Sequence, residues 1–303
     1  MSRWFALALA PLMIAACSQA QPSSPAKPTP TPSASDILAG SPASDWRPID
    51  PENTVYLDLP KGRVIIELAP AFAPNHVANI KALARAHYFD HAFVVRVQDN
   101  YVVQWSQPDS KTPLGAGKAT LPAEFDRPAA GAPFDPLPDP DTYAPQVGFS
   151  DGFPAARDPG AGRAWLTHCY GMVGAGRDND ADSGGGAELY AVIGNAPRPL
   201  DRNVTLVGRV VQGIELMSAM PRGTGDLGFY EHPEQRIPIA AITVAADLPP
   251  AQRVALESLR TDSATFARLV DARRNRHDAW YKYASGHVDV CNVKVPVRAH
   301  AAR

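Results

Sequence analysis

The chain has 303 residues, of which 45% are hydrophobic and 20% charged, and its formal net charge is -2. Such a composition can bury a sizeable core in one large domain, or in one domain with an extension. It gives no reason to expect nucleic acid as a partner, whose binding normally needs a concentrated basic face.

The N-terminus reads apart from the rest. Arg3 precedes two apolar runs, Trp4 to Ala10 and Leu12 to Ile14, and small residues lead into Cys17 in Ile14-Ala15-Ala16-Cys17. This is the layout of a signal peptide over residues 1–17, too short to span a bilayer as a mature helix. Its last four residues resemble a bacterial lipobox, which implies cleavage before Cys17 and lipid attachment to its thiol; the competing reading is an ordinary cleaved signal. Several acyl chains on one residue would anchor the chain stably, where a single chain would be marginal. Ser18 follows, and the resemblance to lipoprotein sorting then implies a lipid anchor on the periplasmic side of the outer membrane in the cell envelope. Residues 18–47 are dominated by Pro, Ser, Ala and Thr around a central PTPTP, with too little apolar surface to offset their ordering entropy. A semi-extended tether is expected there.

Period-2 apolar runs at Asn53–Leu59 and Arg63–Leu68, joined at Pro60-Lys61-Gly62, predict a first hairpin. Pro74 then leads into Val77, Ile80, Leu83 and Ala84, spaced as one face of a helix that should end near His87-Tyr88. A second hairpin is expected around Gln98-Asp99-Asn100, with Arg96 in its first strand and Gln104 in its second. A Pro- and Gly-rich excursion runs from Pro108 to Gly162, within which Ala129–Gly162 reads as an ordered loop insertion. Strands are expected at Tyr170–Met172, Glu188–Ile193, Thr205–Val211 and Ile237–Val244, with helical residues at Ile214–Met220. Many short strands with one or two helices suggest a closed barrel, since closure removes exposed edges. In the tail, Ala251–Leu259 and Asp262–Arg276 read as helices and His287–Val297 as a strand returning to the barrel. The basic residues Arg273, Arg274, Arg276 and His277 could touch anionic lipid headgroups, with a solvated helix end as the plainer reading. Cys169 and Cys291 are left for a disulfide, which an oxidising compartment permits, or for two buried thiols.

The segment AFVVRVQDNYVVQ, residues 92–104, resembles the catalytic hairpin of the cyclophilins, a peptidyl-prolyl isomerase family. The resemblance runs from about Asn53 to Val244 through APNHVANIKAL, GAGKATLPAEF, GMVGAGRDNDADSGGGAELYAVIG and LDRNVTLVGRVVQGIELM, in order. It implies a mainly β fold: a closed eight-stranded antiparallel barrel capped by two helices, spanning 48–247, followed by a helical extension over 248–303. The implied activity is cis-trans isomerisation of X-Pro bonds, assisting the folding of exported proteins. Carried over residue by residue, Arg96 is the catalytic arginine and Gln104 the glutamine that holds substrate backbone. Tyr101, Val102, Tyr190 and Leu200 line a slot for the proline ring, and Glu188 stands where a peptide-contacting glutamine is usual.

Other departures are Val95 for a histidine, Trp105-Ser106 for Gly-Gly, Gly174 for an asparagine, and Pro199 and Val204 at positions that vary. Glu188 could also pair with Arg96. These changes keep a second reading open, a catalytically weak barrel that binds proline peptides or acts as a chaperone module. No cofactor and no metal is implied, and proline-containing polypeptides are the expected partners of a monomer. His168 beside Cys169 lacks further ligands at zinc spacing, and Asp178–Asp182 lacks the Gly and Glu of a calcium loop.

Overall fold

Alternating Val, Ile and Leu side chains in Thr54–Leu59 and Gly62–Leu68 pair these strands as the expected first hairpin, with Leu59 opposite Gly62. They belong to an antiparallel sheet of nine strands. Its order is Ile237–Pro238, Phe93–Val97, Val102–Ser106, Glu188–Val192, Met172–Ala175, Leu206–Gln212, Gly62–Leu68, Thr54–Leu59 and Ala241–Val244. The two edge strands of this curled sheet are consecutive in the chain. Only Ile239 and Ala240 separate them, and these donate to the carbonyls of Ala92 at 2.8 Å and Asp58 at 2.9 Å. In this computed structural model the described residues are Met1, 32–108 and 111–300, so Cys17, the rest of the signal peptide and tether residues 18–31 lie outside them. Residues 31–303 cluster as one compact unit.

The first helix, α1, spans Ala34–Ala39 and is closed at its start by a capping box between Ser33 and Asp36. The second, α2, spans Pro74–Arg85, and its buried face is the expected Val77, Ile80, Leu83 and Ala84. Ala73 offers no side-chain cap, and Glu124 supplies one from the far loop. Its carboxylate accepts the N–H groups of Asn75 and His76, both at 3.0 Å, where a negative charge also suits the helix dipole. The α2 face packs against Val55, Leu57, Val64, Val94, Val103 and Trp105 in the main core, where Met217 of α3, Ile214–Ser218, also lies.

The insertion is not a loop. Residues 127–166 form a five-stranded antiparallel sheet in the order Arg127–Pro128, Arg163–Leu166, Phe153–Asp158, Gln146–Ser150 and Asp135–Pro136. Its central hairpin turns on Asp151-Gly152, both at positive φ (48° and 85°), with Ser150 opposite Phe153. That is the two-residue turn whose twist matches its strands. Phe149, Phe153, Trp165 and Leu166 join a second core with Ile37 of α1 and Phe266 and Leu269 of α4, Ala264–Arg274.

The tail differs from the helical extension expected. Ala251–Leu259 is not a helix: Pro250–Gln252 is one 3-10 turn and Leu256–Leu259 a strand whose four residues are all buried. Burial of successive residues on both faces fits a strand held between two partners, and here these are Trp46–Pro48 and Val297–Ala299. The expected strand His287–Val297 is a 3-10 turn at Val290–Asn292 with a strand only from Val297, and it pairs in this three-stranded sheet rather than in the nine-stranded one. The tether expected to reach residue 47 is likewise cut short, because α1 and Trp46–Pro48 are ordered against this region.

The three-stranded sheet is fastened to the nine-stranded one by buried charge. Glu67 lies 2.7 Å from Arg47 and 2.9 Å from Arg209, which also donates to Ser258 at 2.8 Å. Both arginines hold the Glu67 carboxyl below the usual carboxylate range despite its burial. Cys169 and Cys291 are joined in a disulfide across a sequence separation of 122 residues. Replacing both by serine should lower the unfolding free energy by about 2–5 kcal/mol, the usual loss for a native bridge. Urea denaturation under non-reducing conditions measures this; an unchanged midpoint and slope would contradict it.

Candidate active site

A one-residue irregularity aims the key arginine. Phe93 and Val94 pair with Ser106 and Trp105, but the register then slips so that Arg96, not Val95, stands opposite Gln104. Val94 and Val97 face the core, and strict alternation would turn Arg96 inward with Val94. The bulge at Val95 instead presents Arg96 on the outer face. That face carries Val102 and Gln104 from the next strand and Glu188 and Tyr190 from the one after, with Tyr190 opposite Gln104. The residues between them, Val103, Trp105, Leu189 and Ala191, fill the core beneath.

All seven expected site residues within the fold meet there. Arg96, Tyr101, Val102, Gln104, Glu188, Tyr190 and Leu200 line one cavity of about 270 Å³, completed by Gly176, Arg177 and Val204. Tyr101, Val102, Tyr190 and Val204 make its apolar wall, with Val192 packed behind them. The eighth, Cys17, lies outside the described residues.

The polar side is a chain through one amide. Arg96 Nη1 donates to Gln104 Oε1 at 3.0 Å, while Gln104 Nε2 donates to Glu188 Oε1. Glu188 therefore contacts Gln104 rather than pairing with Arg96 by a direct hydrogen bond. Arg96 Nε donates to the Leu227 carbonyl at 2.7 Å and Nη2 to Gln98 Oε1. A guanidinium has five N–H groups, so these contacts leave two for a substrate. The Tyr101 and Phe229 rings flank it, with centroids 5.5 and 5.3 Å from its carbon. Burial lowers the Arg96 pKa, yet an arginine stays charged across any working range. Burial also pushes the Glu188 carboxyl above its ordinary value, with the Gln104 hydrogen bond opposing.

Gly174, one of the departures noted in the sequence, belongs with Tyr190. A Cβ built on Gly174 would lie 2.3 Å from both Cζ and the hydroxyl of Tyr190, so this ring occupies the space a side chain at 174 would need. The Tyr190 hydroxyl turns away into a buried hydrogen bond with His168 Nε2 at 2.9 Å. His168 Nδ1 meets Asp201 at 3.0 Å, Arg198 Nε donates to Asp201 at 2.6 Å, and Arg198 grips Asp141 of the insertion through two bonds of 2.9 and 3.0 Å. Arg198 opens the 3-10 turn that ends in Leu200. One buried polar chain thus fixes both apolar walls, Tyr190 and Leu200.

Sequence reading missed Gln98, Leu227, Phe229 and His168 in these roles. Leu227 is 66% exposed and sits at φ 55°, a conformation a leucine rarely adopts, which turns its carbonyl onto Arg96. Its Gly-rich surroundings, Gly223 to Gly228, were the only trace in the sequence of a loop with unusual dihedrals.

The Glu188 carboxyl yields a pH prediction. Because its folded pKa is raised, the native chain holds a proton that the unfolded chain releases from about pH 4.5 upward, the ordinary value. Stability therefore falls with rising pH through that window. Glu188→Gln should be more stable than the parent at pH 7, with the advantage gone below about pH 4.5. Parallel urea titrations at the two pH values check it; a pH-independent difference would refute the assignment.

The family model for cyclophilin type peptidyl-prolyl cis-trans isomerase/CLD matches residues 54–244. Proteins named probable peptidyl-prolyl cis-trans isomerase from Brucella suis biovar 1 and from Brucella melitensis biotype 1 are each 28% identical over 201 residues, 65% of this chain and 85% of theirs. The crystal structure of cyclophilin AquaCyp293 from Hirschia baltica is similar with a TM-score of 0.68 and 26% identity, over 89% of this chain and 98% of that one. With the family model spanning the whole nine-stranded sheet and the cavity on its outer face, the chain belongs to the cyclophilin-type peptidyl-prolyl cis-trans isomerases.

Proposed function

We propose that Arg96 is the catalytic residue of this isomerase, that Gln104 holds the substrate backbone, and that Tyr101, Val102, Tyr190 and Leu200 receive the proline ring. The observation that carries the reading is the convergence of these residues, with Glu188, on one cavity that is apolar on one side and hydrogen-bonding on the other. Amide resonance sets a barrier of about 18–20 kcal/mol to the rotation. As the C–N bond twists, the prolyl nitrogen lone pair leaves conjugation and becomes a better acceptor. A guanidinium N–H aimed at it binds the twisted state more strongly than either planar one, which is the differential binding that accelerates a reaction. Leu227, Gln98 and Gln104 hold the guanidinium in place beforehand, so no reorganisation is needed as the bond turns.

Counting Ile237–Val244 as one bent strand, the sheet becomes an eight-stranded closed barrel, with α2 and α3 as its two caps. The continuity of the chain through Ile239 and Ala240 supports that count. The lipobox at Cys17 supports a cell-envelope isomerase, lipid-anchored on the periplasmic side, that acts as a monomer on exported polypeptides.

Arg96→Ala should lower kcat/KM by about a hundredfold or more, the loss typical of one preorganised donor, while peptide affinity changes far less. A coupled isomerisation assay on a short X-Pro peptide, beside a peptide titration, reads both; full turnover by the variant would end the mechanism. Cys17→Ser should move the chain from the membrane fraction to the soluble envelope fraction, and a variant that still sediments with membranes in high salt would rule the lipid anchor out.

A further inference from the structure

We infer that the segment 275–285, at the end of α4, is a second membrane contact that lies on anionic phospholipid headgroups. Every residue of this stretch is exposed, including Trp280 at 83%, Tyr283 at 91% and Tyr281 at 43%. Aromatic rings so exposed add nothing to the core, and the segment is nonetheless built. Asp278 accepts the N–H groups of Trp280 and Tyr281, each at 2.8 Å, and Arg276 Nε at 2.8 Å. The Arg276 guanidinium stacks on Tyr281 at 4.0 Å, and Gly286 N–H closes the base of the loop on the Arg274 carbonyl at 3.0 Å. The result is a clasped tip that offers Trp280 and Tyr283 outward beside Lys282.

Trp and Tyr rings, apolar in body with one polar edge, favour the headgroup level of a bilayer. Cations favour an anionic leaflet. From Arg268 to Lys294 the chain carries six Lys and Arg against three Asp, a local excess of positive charge on a protein of net charge -2. The helix that follows the tether, α1, packs against this same α4. Tether residues 18–31 could span at most about 50 Å when extended, so an anchor at Cys17 would keep this tip within reach of the membrane. The anchor then gives the tip a high effective concentration at the membrane, so that even a weak contact there is populated. Among the described residues no helix is long and apolar enough to cross a membrane, so a surface contact is the form that attachment by this region would take.

The choice of a membrane rests on the envelope reading, but the test does not need the anchor. The compact unit 31–303, which lacks Cys17, is sedimented with vesicles containing phosphatidylglycerol and, separately, with neutral phosphatidylcholine vesicles. We expect binding to the anionic vesicles that weakens with salt, and at least tenfold weaker partitioning for the combined Trp280→Ala, Lys282→Glu and Tyr283→Ala variant with unchanged turnover of a soluble X-Pro peptide. Absence of binding by the parent, equal binding by the variant, or capture by purified peptidoglycan in place of vesicles would overturn the inference. Loss of Cys17 lipidation in cells leaves this result untouched, so the two ideas fail separately.

Discussion

One amide group holds the working face of this isomerase together. Gln104 meets a cation on its oxygen side and a carboxylate on its nitrogen side, and only one orientation of the amide satisfies both. That orientation requires Arg96 directly opposite, which in turn requires the slip of register at Val95. Without the bulge the guanidinium would be driven toward Val94 and Trp105 in the core, where an unpaired charge costs several kcal/mol. Val95, read from the resemblance as a departure from a histidine, is thus the bulged residue itself, whose side chain is half-buried and whose carbonyl accepts from the Tyr230 N–H at 2.9 Å.

The inserted sheet acts on the same site from behind. Asp141 belongs to the insertion, Arg198 to the turn that carries Leu200, and Asp201 and His168 connect that turn to the Tyr190 hydroxyl. Arg198 is only 4% exposed, so the chain is a buried ion cluster. Removing one member of such a cluster typically costs about 3–5 kcal/mol, because it strands the others without partners. The disulfide at Cys169, one residue beyond His168, ties this region to the C-terminal segment. Insertion and tail, both outside the nine-stranded sheet, therefore act as struts for the Arg96 cavity and its surroundings.

Gly174 and Tyr190 show why a single departure misleads when read alone. By itself Gly174 looks like the loss of an asparagine side chain. In space they are one exchange: the larger tyrosine fills the volume over the glycine and sends its hydroxyl to His168. The cavity keeps an apolar wall, since the polar atom is directed away from it.

By itself the sequence determined the first two hairpins and the α2 face, because period-2 and period-3.6 patterns record burial on one face at a time, whereas the residues gathered around Arg96 were read from the resemblance to the cyclophilins. The Asp151-Gly152 hairpin went unread, because the Pro and Gly around it masked its strands and the sequence of Ala129–Gly162 reads as a loop. Tertiary structure alone decided the rest. Leu256–Leu259, buried on both faces, has no periodicity to separate strand from helix, and only its two partner strands make it extended. The bulge at Val95, the Leu227 carbonyl on Arg96 and the Asp141-to-Tyr190 chain join residues far apart in sequence, and the spacing of residues along a chain does not encode such distances.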